Sequence, residues 1–585
     1  MNMFWRKKRE QDLERELHAH LQLEGEEQRD AWAARRALGN TALIKEDVRA
    51  VWGGQRLERL AQDLRYACRT LYQNRGFATL ALAVLALGIG ATTAAFSVVN
   101  SVLLRPLPFR DPDRLVMVWE RPPQGKTTNV VQTQNFLDWR QSNRSFENIA
   151  AVEALPVNLE SGTEAVQLPG MVVSAGFFEI LGVRPLLGRT FRPEEDVPNA
   201  QPVVVLSYGL WQGRFGGKSS AIGESVTING QPARVIGVMP RGFAFPTVRA
   251  ELYGPARINP ATAPQEGRNY MTVARLRPGV SLAQAQADMA AIAAQTAAER
   301  PRFNAKWSAT VVPLMEQTVG ATRTTLLVLL GAVGFVLLIA CANVSNLLLM
   351  RAAGRRREMT VRVALGAGLG RLLHQLLVET LLLALTGGAL GFALAWWGLP
   401  AIIHMLPADF PLPRLNEIAV DFRVLGFALL LSLACGLFFG LLPAIQVDRN
   451  RVIDSLREGG RHGTSSSRHL RAALVVGEVA VAMILVIGAG LMLCSFVLLD
   501  SVDPGFRPER LLTFQMMLVP SKYFQIPKRA AVVENMLEKI RTLPSVTSAA
   551  YIHLLPLSRG NSGTFYSRAD RAERRQAPWL AGMSR

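Results

Sequence analysis

Charge is all but missing from five long stretches of this 585-residue chain. No Asp, Glu, Lys or Arg falls between Arg75 and Arg105, or between Arg323 and Arg351. A third stretch runs from Arg371 to about Leu406 with Glu379 as its one acid, and a fourth lies between Arg423 and Asp448. A fifth lies between Arg471 and Asp500, with Glu478 as its one charge. Each exceeds the ~20 residues that span ~30 Å of hydrocarbon, and buried helices of soluble proteins are seldom so long and so free of charge. Five spanning helices are therefore predicted. Cysteine is scarce too. The four are Cys68, Cys341, Cys435 and Cys494, and none lies in the long polar segments, which excludes a disulfide framework and any metal-ligand spacing. The opening MNMFWRKKREQDLERELHAH has no apolar h-region, so no cleavable signal peptide is expected.

What is present is positive charge. Lys and Arg number 65 against 46 acids, a formal net charge of +19. Nucleic acid is not the expected partner. The bases crowd beside the apolar stretches, and there is no zinc spacing, RNP-like aromatic motif or helix-turn-helix signature. Residues 1–76 hold 15 Lys and Arg. Six Arg lie within 351–371, and six more (Arg449, Arg451, Arg457, Arg461, Arg468, Arg471) within 447–471. The short loop around 407–422 holds only Arg414 against Asp409, Glu417 and Asp421. Counting bases near helix ends sets the N-terminus and every basic loop on the cytoplasmic side. The segment between the first two helices then lies outside, and membrane lipid is the first partner.

The chain repeats itself at an offset of 396 residues. DPDRLVMVW (111–119) matches FRPERLLTFQ (506–515), and the same offset sets Arg75 on Arg471 and Pro108 on Pro504. One unit is a spanning helix, an external domain and three more spanning helices. The second copy has its helix and the opening of its external domain, so a truncated second copy is expected. The organisation reads as follows: 1–55, a small helical prefix; 56–104, a juxtamembrane helix and helix 1; 105–322, an external domain; 323–447, helices 2–4; 448–470, a linker; 471–500, helix 5; 501–585, the start of the second external domain.

The 105–322 domain reads as mixed α/β. LVMVWE (115–120), PVVVLSY (202–208) and SVTINGQPARVIGVMP (225–240, turning at Asn229-Gly230) are predicted strands. SLAQAQADMAAIAAQTAAER (281–300) is a predicted helix capped by Ser281. No catalytic centre is visible in it. Lys218-Ser219 in QGRFGGKSS resembles the end of a P-loop, but Gln212 stands where glycine is needed, so a helix-to-strand turn is expected. Gly53-Gly54-Gln55-Arg56 faintly echoes the signature loop of ABC ATPases, yet no Walker A precedes it. His18 and His20 are two apart on a helical stretch, share no face, and read as solvated surface.

Acids inside spanning helices are functional candidates by default. Glu379 follows Arg371 by eight residues and Glu478 follows Arg471 by seven, which at 1.5 Å per residue sets each about 10–12 Å from its arginine. Pairing with an arginine or another helix end is the expected use, and a coupling role comes second.

The stretch RRREMTVRVALGAGLGRLLHQLLVE is amphipathic and partly helical. Val361, Ala364 and Leu365 share one face with Arg357 and Arg362 beside it, a pattern suited to docking in a partner's groove. Arg356-Arg357-Glu358-x3-Arg362-x-Ala364-Leu365-Gly366-Ala367 resembles the loop of FtsX/MacB-type ABC transporter permeases. GFFEILGVRPLLGRTF (176–191), LSYGLWQGRFGG (206–217) and TINGQPARVIGVMP (227–240) are similar to the MacB-type periplasmic core domain. Residues 59–109 resemble the first-helix region of the duplicated permeases abundant in acidobacteria.

The resemblance implies a polytopic α-helical membrane protein of the bacterial inner membrane, with a mixed α/β MacB-like periplasmic core domain between helices 1 and 2. Residues about 105–322 and 501–585 would be periplasmic. It implies a permease without its own ATPase that works by mechanotransmission for export or efflux. The partner would be a separate MacB/LolD-like ATP-binding subunit, which holds ATP and Mg, so no cofactor is expected in this chain. The family also admits a periplasmic adaptor. The ATPase-coupling residues would be Arg356, Arg357, Glu358, Val361, Arg362, Ala364, Leu365, Gly366 and Ala367. Two alternatives stay open: an FtsX-like regulator of an extracytoplasmic enzyme, and a degraded permease.

Overall fold

A computed structural model describes residues 55–123, 129–161, 164–246, 248–354, 369–407, 412–446, 465–503 and 526–552, with a few isolated positions besides. The expectations for the prefix at 1–55, apart from a few isolated positions and its last residue, and for the arginine-rich stretch 355–368 fall outside the described residues. The helices of eight residues or more are α1 (Gln55–Gln73), α2 (Arg75–Val99), α3 (Thr133–Ser142), α4 (Tyr208–Phe215), α5 (Leu282–Glu299), α6 (Leu314–Gly354), α7 (Leu369–Met405), α8 (Phe422–Gln446), α9 (Ser465–Asp500) and α10 (Ile526–Arg541). The strands are β1 (Leu115–Arg121), β2 (Val131–Gln132), β3 (Phe146–Ser161), β4 (Glu164–Val173), β5 (Leu187–Gly188), β6 (Val203–Leu206), β7 (Ser225–Ile228), β8 (Gln231–Val238), β9 (Leu252–Pro255), β10 (Arg268–Leu276) and β11 (Ser308–Pro313). The chain divides into a helical unit, Met1–Pro106 with Val319–Phe506, and a sheet unit, Leu107–Thr318 with Arg507–Arg585.

The sheet unit is built on one mixed sheet in the order β11-β1-β10-β3-β4-β9-β6-β8-β5. The β4–β9 and β6–β8 pairs are parallel and the other pairs antiparallel. β1 reads as a continuous apolar run because both its faces are covered. Leu115, Met117 and Trp119 enter a core with Phe177, Phe178 and Tyr253. Val116 and Val118 enter the opposite core, with Phe136 and Trp139 of α3 and Met289 and Ile292 of α5. Asn229 and Gly230 turn β7 into β8 with φ of 49° and 75°, the left-handed pair that a two-residue hairpin demands. β6 ends at Leu206 rather than running to Tyr208, because the Ser207 hydroxyl accepts from the Leu210 N–H at 3.1 Å and opens α4. Ser281 caps α5 with Gln284 in a reciprocal capping box, as the sequence predicts.

Among the described residues of the helical unit, five helices have membrane-crossing length and composition: Arg75–Leu104, Leu314–Arg351, Leu373–Met405, Phe422–Leu441 and Ala472–Asp500. α7 is the hub. A Cβ at Gly391 would lie 2.8 Å from the Gly90 nitrogen and the Ala86 oxygen, so α2 and α7 meet backbone to backbone. On the other flank of α7, Gly436 of α8 accommodates Leu381, and the Phe96 and Phe427 rings of α2 and α8 stack at 3.9 Å. Leu85, Ile89, Leu337, Val344, Leu383 and Phe439 close the core among α2, α6, α7 and α8. Inside it the Cys341 and Cys435 sulfurs stand 3.6 Å apart, both buried and reduced.

The last turn of α2 widens into a π-turn at Asn100–Leu104. Its carbonyls are met by Arg414, whose side chain is only 3% exposed. Nη1 donates to the oxygens of Arg105 at 2.6 Å and Val102 at 3.3 Å, and Nη2 to Pro106 at 3.1 Å. A guanidinium at a helix C-terminus satisfies orphan carbonyls and suits the helix dipole. Alongside, Asn100 Nδ2 donates to Asp421 at 3.1 Å. Desolvation works against Asp421, yet the N–H of Val424 and the Asn100 amide hold its carboxyl below the usual range.

Candidate functional site

The nine residues singled out as an ATPase dock, Arg356, Arg357, Glu358, Val361, Arg362, Ala364, Leu365, Gly366 and Ala367, lie outside the described residues. The two helix ends that carry them are described. α6 ends at Gly354 and α7 begins at Leu369.

Arg351 stands in the last turn of α6. Its Nη1 lies 3.0 Å from Oε1 of Glu379, with the two side chains 14% and 8% exposed. Its guanidinium carbon sits 4.9 Å from the centroid of the Phe77 ring, in the first turn of α2. The pairing expected of Glu379 is thus made, and the partner comes from the neighbouring helix. Burial makes an acid this deep tolerable only with such a partner. Arg371, in the first turn of α7, forks onto Asp63 of α1 at 2.6 and 2.8 Å. Glu478 lies half-buried on α9, and the side chain of Arg471 is outside the described residues.

Elsewhere, Lys218-Ser219 forms the turn expected of it. Gly216 and Gly217 take φ of 60° and 68° after α4, and the Trp211 indole N–H donates to the Lys218 carbonyl at 2.9 Å. In the sheet unit Glu153 of β3 is pushed up to about 7, by burial first and by the nearby Glu266 charge second. Burial raises Asp196 as well, against the pull of the Arg257 and Ala175 N–H groups. Among the described residues no three His, Cys, Asp or Glu side chains gather as metal ligands.

Three features escaped the sequence reading. Asp63 looks like one more sign in an interleaved amphipathic helix, although its spacing from Ala67 and Thr70 marks a common face. Arg414 looks like a stray external charge. The Cys341–Cys435 approach has no local signal, since it depends on how α6 and α8 cross.

Residues 78–292 match the MacB-like periplasmic core domain and residues 330–449 match the FtsX-like permease C-terminal domain. The chain is 29% identical over 295 residues to the macrolide export ATP-binding/permease protein MacB of Shigella flexneri and of Escherichia coli K12, covering 48% of this chain and 42% of each relative. The protein of the same name from Burkholderia lata is 29% identical over 284 residues. This chain thus spans under half the length of these relatives. Among solved structures, the periplasmic region of MacB from Actinobacillus actinomycetemcomitans is similar over 36% of this chain and 94% of its own, at 15% identity and a TM-score of 0.28. With its five membrane-length helices and its mixed α/β domain between the first two, the chain belongs to the FtsX/MacB-type ABC transporter permeases.

Proposed function

We propose that this chain is a permease subunit that couples ATP hydrolysis on a separate ATP-binding subunit to movement of its periplasmic domain, in an export or efflux system. The arginine-rich segment 352–368 is the dock, with Glu358 and Arg362 making polar contacts and Val361, Ala364 and Leu365 filling the partner's groove. The N-terminus and the basic loops face the cytoplasm, and the sheet unit faces the periplasm. Mg and ATP belong to the partner.

The observation that carries this reading is the place of α7. It is the helix that leaves the arginine-rich segment, and it packs backbone to backbone on α2 along one side and against α8 along another. A displacement delivered to its first turn is felt by the whole bundle, because close-packed cores do not deform continuously. The names of the relatives make macrolide export the first substrate class to test.

The test is affinity purification of the chain from native membranes in mild detergent, beside a variant with Glu358, Val361 and Arg362 replaced by Ala. Recovery of an ATP-binding protein with the unaltered chain and its loss with the variant is the expected result. Absence of any ATP-binding protein, or equal retention by the variant, reduces the segment to a topology anchor.

A further inference from the structure

Helix α1 precedes the membrane and belongs to neither of the matched domains. Among its described side chains the buried positions are Asp63, Ala67 and Thr70, one stripe at spacings of four and three, at 3%, 1% and 4% exposure. Two of the three are what a tight helix contact calls for. Asp63 is not, since a buried carboxylate is tolerated only when its oxygens are taken up. They are. Oδ1 accepts from Arg371 Nη2 at 2.6 Å, Oδ2 accepts from Nη1 at 2.8 Å, and Nδ1 of His374 lies 3.0 Å from Oδ2. Arg371 and His374 are three residues apart on the opening turns of α7, so both present one face to α1.

The other end of the segment reaches the same helix. Arg351 Nη2 donates to the Thr70 carbonyl at 3.4 Å, and the same guanidinium holds Glu379 of α7 and lies over Phe77 of α2. The two arginines that bracket residues 352–370 therefore both end on α1, two turns apart. Only the carboxylate is buried, with the Asp63 side chain 4% exposed and that of Arg371 43%, so the pair adds little stability, and the best-attested use of such a tie is to fix registry. The bidentate fork supplies that directional quality, which a lysine or a methyl group would not.

We propose that α1 is a working part of the coupling device, in which Asp63 holds Arg371 and His374 while the Thr70 carbonyl receives Arg351, so that the ends of segment 352–370 move as one body with α1 and α2. Asp63 is a positioning residue. It touches neither nucleotide nor cargo, and it decides whether a push on the segment is transmitted or absorbed by splaying of α6 from α7. The inference rests on the coupling role proposed above for that segment.

The test uses the full chain with its co-purified ATP-binding partner, as Asp63→Asn, Arg371→Gln and the exchange Asp63→Arg/Arg371→Asp. A nitroxide on Cys68, which is exposed on α1, reports the helix directly once Cys494 is replaced by Ser, because Cys341 and Cys435 are buried. Both single variants should retain the ATP-binding protein, loosen the Cys68 label, and lower ATP turnover on the order of tenfold, the scale of a typical coupling energy. The exchange should recover part of both signals, and that recovery separates a lost tie from a misfolded chain. An unchanged label in both single variants overturns the clamp. A loosened label with unchanged turnover overturns its part in coupling. If the unaltered chain brings down no ATP-binding protein, the proposed function fails first and the coupling role of α1 falls with it, a pattern distinct from either.

Discussion

α2 and α9 are related by the internal repeat, and the structure treats them oppositely. Half of the apolar window of α2 is buried inside the protein, and none of the window of α9 is. Both carry small residues. At Gly88 of α2 a Cβ would meet the Leu337 side chain at 3.0 Å, and at Gly90 the Gly391 oxygen at 3.0 Å, whereas Gly477, Gly488 and Gly490 of α9 have nothing within 4 Å. Apolar character is set by lipid and is common to both helices. Burial is set by a matching neighbour, which α7 supplies to α2. In lipid, close approach of small residues is what holds helices together, because there is no hydrophobic gain in leaving one oily surface for another.

The sharpest way to break this comparison is through the acids. Glu379→Ala leaves Arg351 buried without its carboxylate, and should cost about 3–5 kcal/mol. Glu478→Ala on α9 should stay within about 0.5 kcal/mol. Thermal unfolding of the detergent-solubilised chain separates the two, and equal losses would mean that α9 is packed as tightly as α2. Glycines come next. Gly391→Ala drives a methyl group into the α2 backbone and should cost about 1–3 kcal/mol. Gly490→Ala has open space and should stabilise α9 by up to about 1 kcal/mol through helix propensity, an opposite sign in the same assay.

Cysteine chemistry gives a yes-or-no answer. A membrane-permeant maleimide should label Cys68, exposed on α1 ahead of the first span, and spare Cys341 and Cys435. Mild oxidation should instead join the latter pair, linking α6 to α8 and blocking their later alkylation after unfolding. Labelling of Cys341 in the folded chain would show that the α6–α8 contact opens.

An effect visible only as a change with pH lies in the sheet unit, and it contrasts that unit with the lipid-facing helices. The folded value of Glu153 lies near 7, above the ordinary carboxylate value of 4.5, so the native state keeps its proton longer than the unfolded chain does. Stability at this site is full below the lower value and is lost as pH rises toward the higher. Glu153→Gln should match the unaltered chain at pH 4 and exceed it at pH 8 by about 1–2 kcal/mol, a reduced figure because the carboxyl keeps some contact with water. Unfolding curves from pH 4 to pH 8 check it.

These contrasts also mark what the residues alone disclose. Spanning segments stand out because a single charge in hydrocarbon is costly, and the absence of charge over 20 or more positions has few other causes. The hairpin at Asn229-Gly230 and the cap at Ser281 are local, so their signals are local too. Glu379 is intermediate. Its depth predicted an ion pair, but Arg371 lies nearer in sequence and Arg351 is the actual partner, since the choice depends on how α6 packs beside α7. Asp63 and Arg414 were out of reach for the same reason. Each meets its partner across about 300 residues, and nothing within a turn of either names that partner.

Arg414 carries a consequence for how the protein is made. The carbonyls it caps belong to Val102, Arg105 and Pro106, 308 to 312 residues earlier in the chain. At about 5–20 residues per second, a ribosome needs roughly 15–60 s to reach Arg414 after finishing the first spanning segment. Throughout that interval the C-terminal end of α2 is without its cap. Water or an insertion factor must serve those oxygens until the loop before α8 arrives, so this end of α2 is completed only after about 300 further residues have been made.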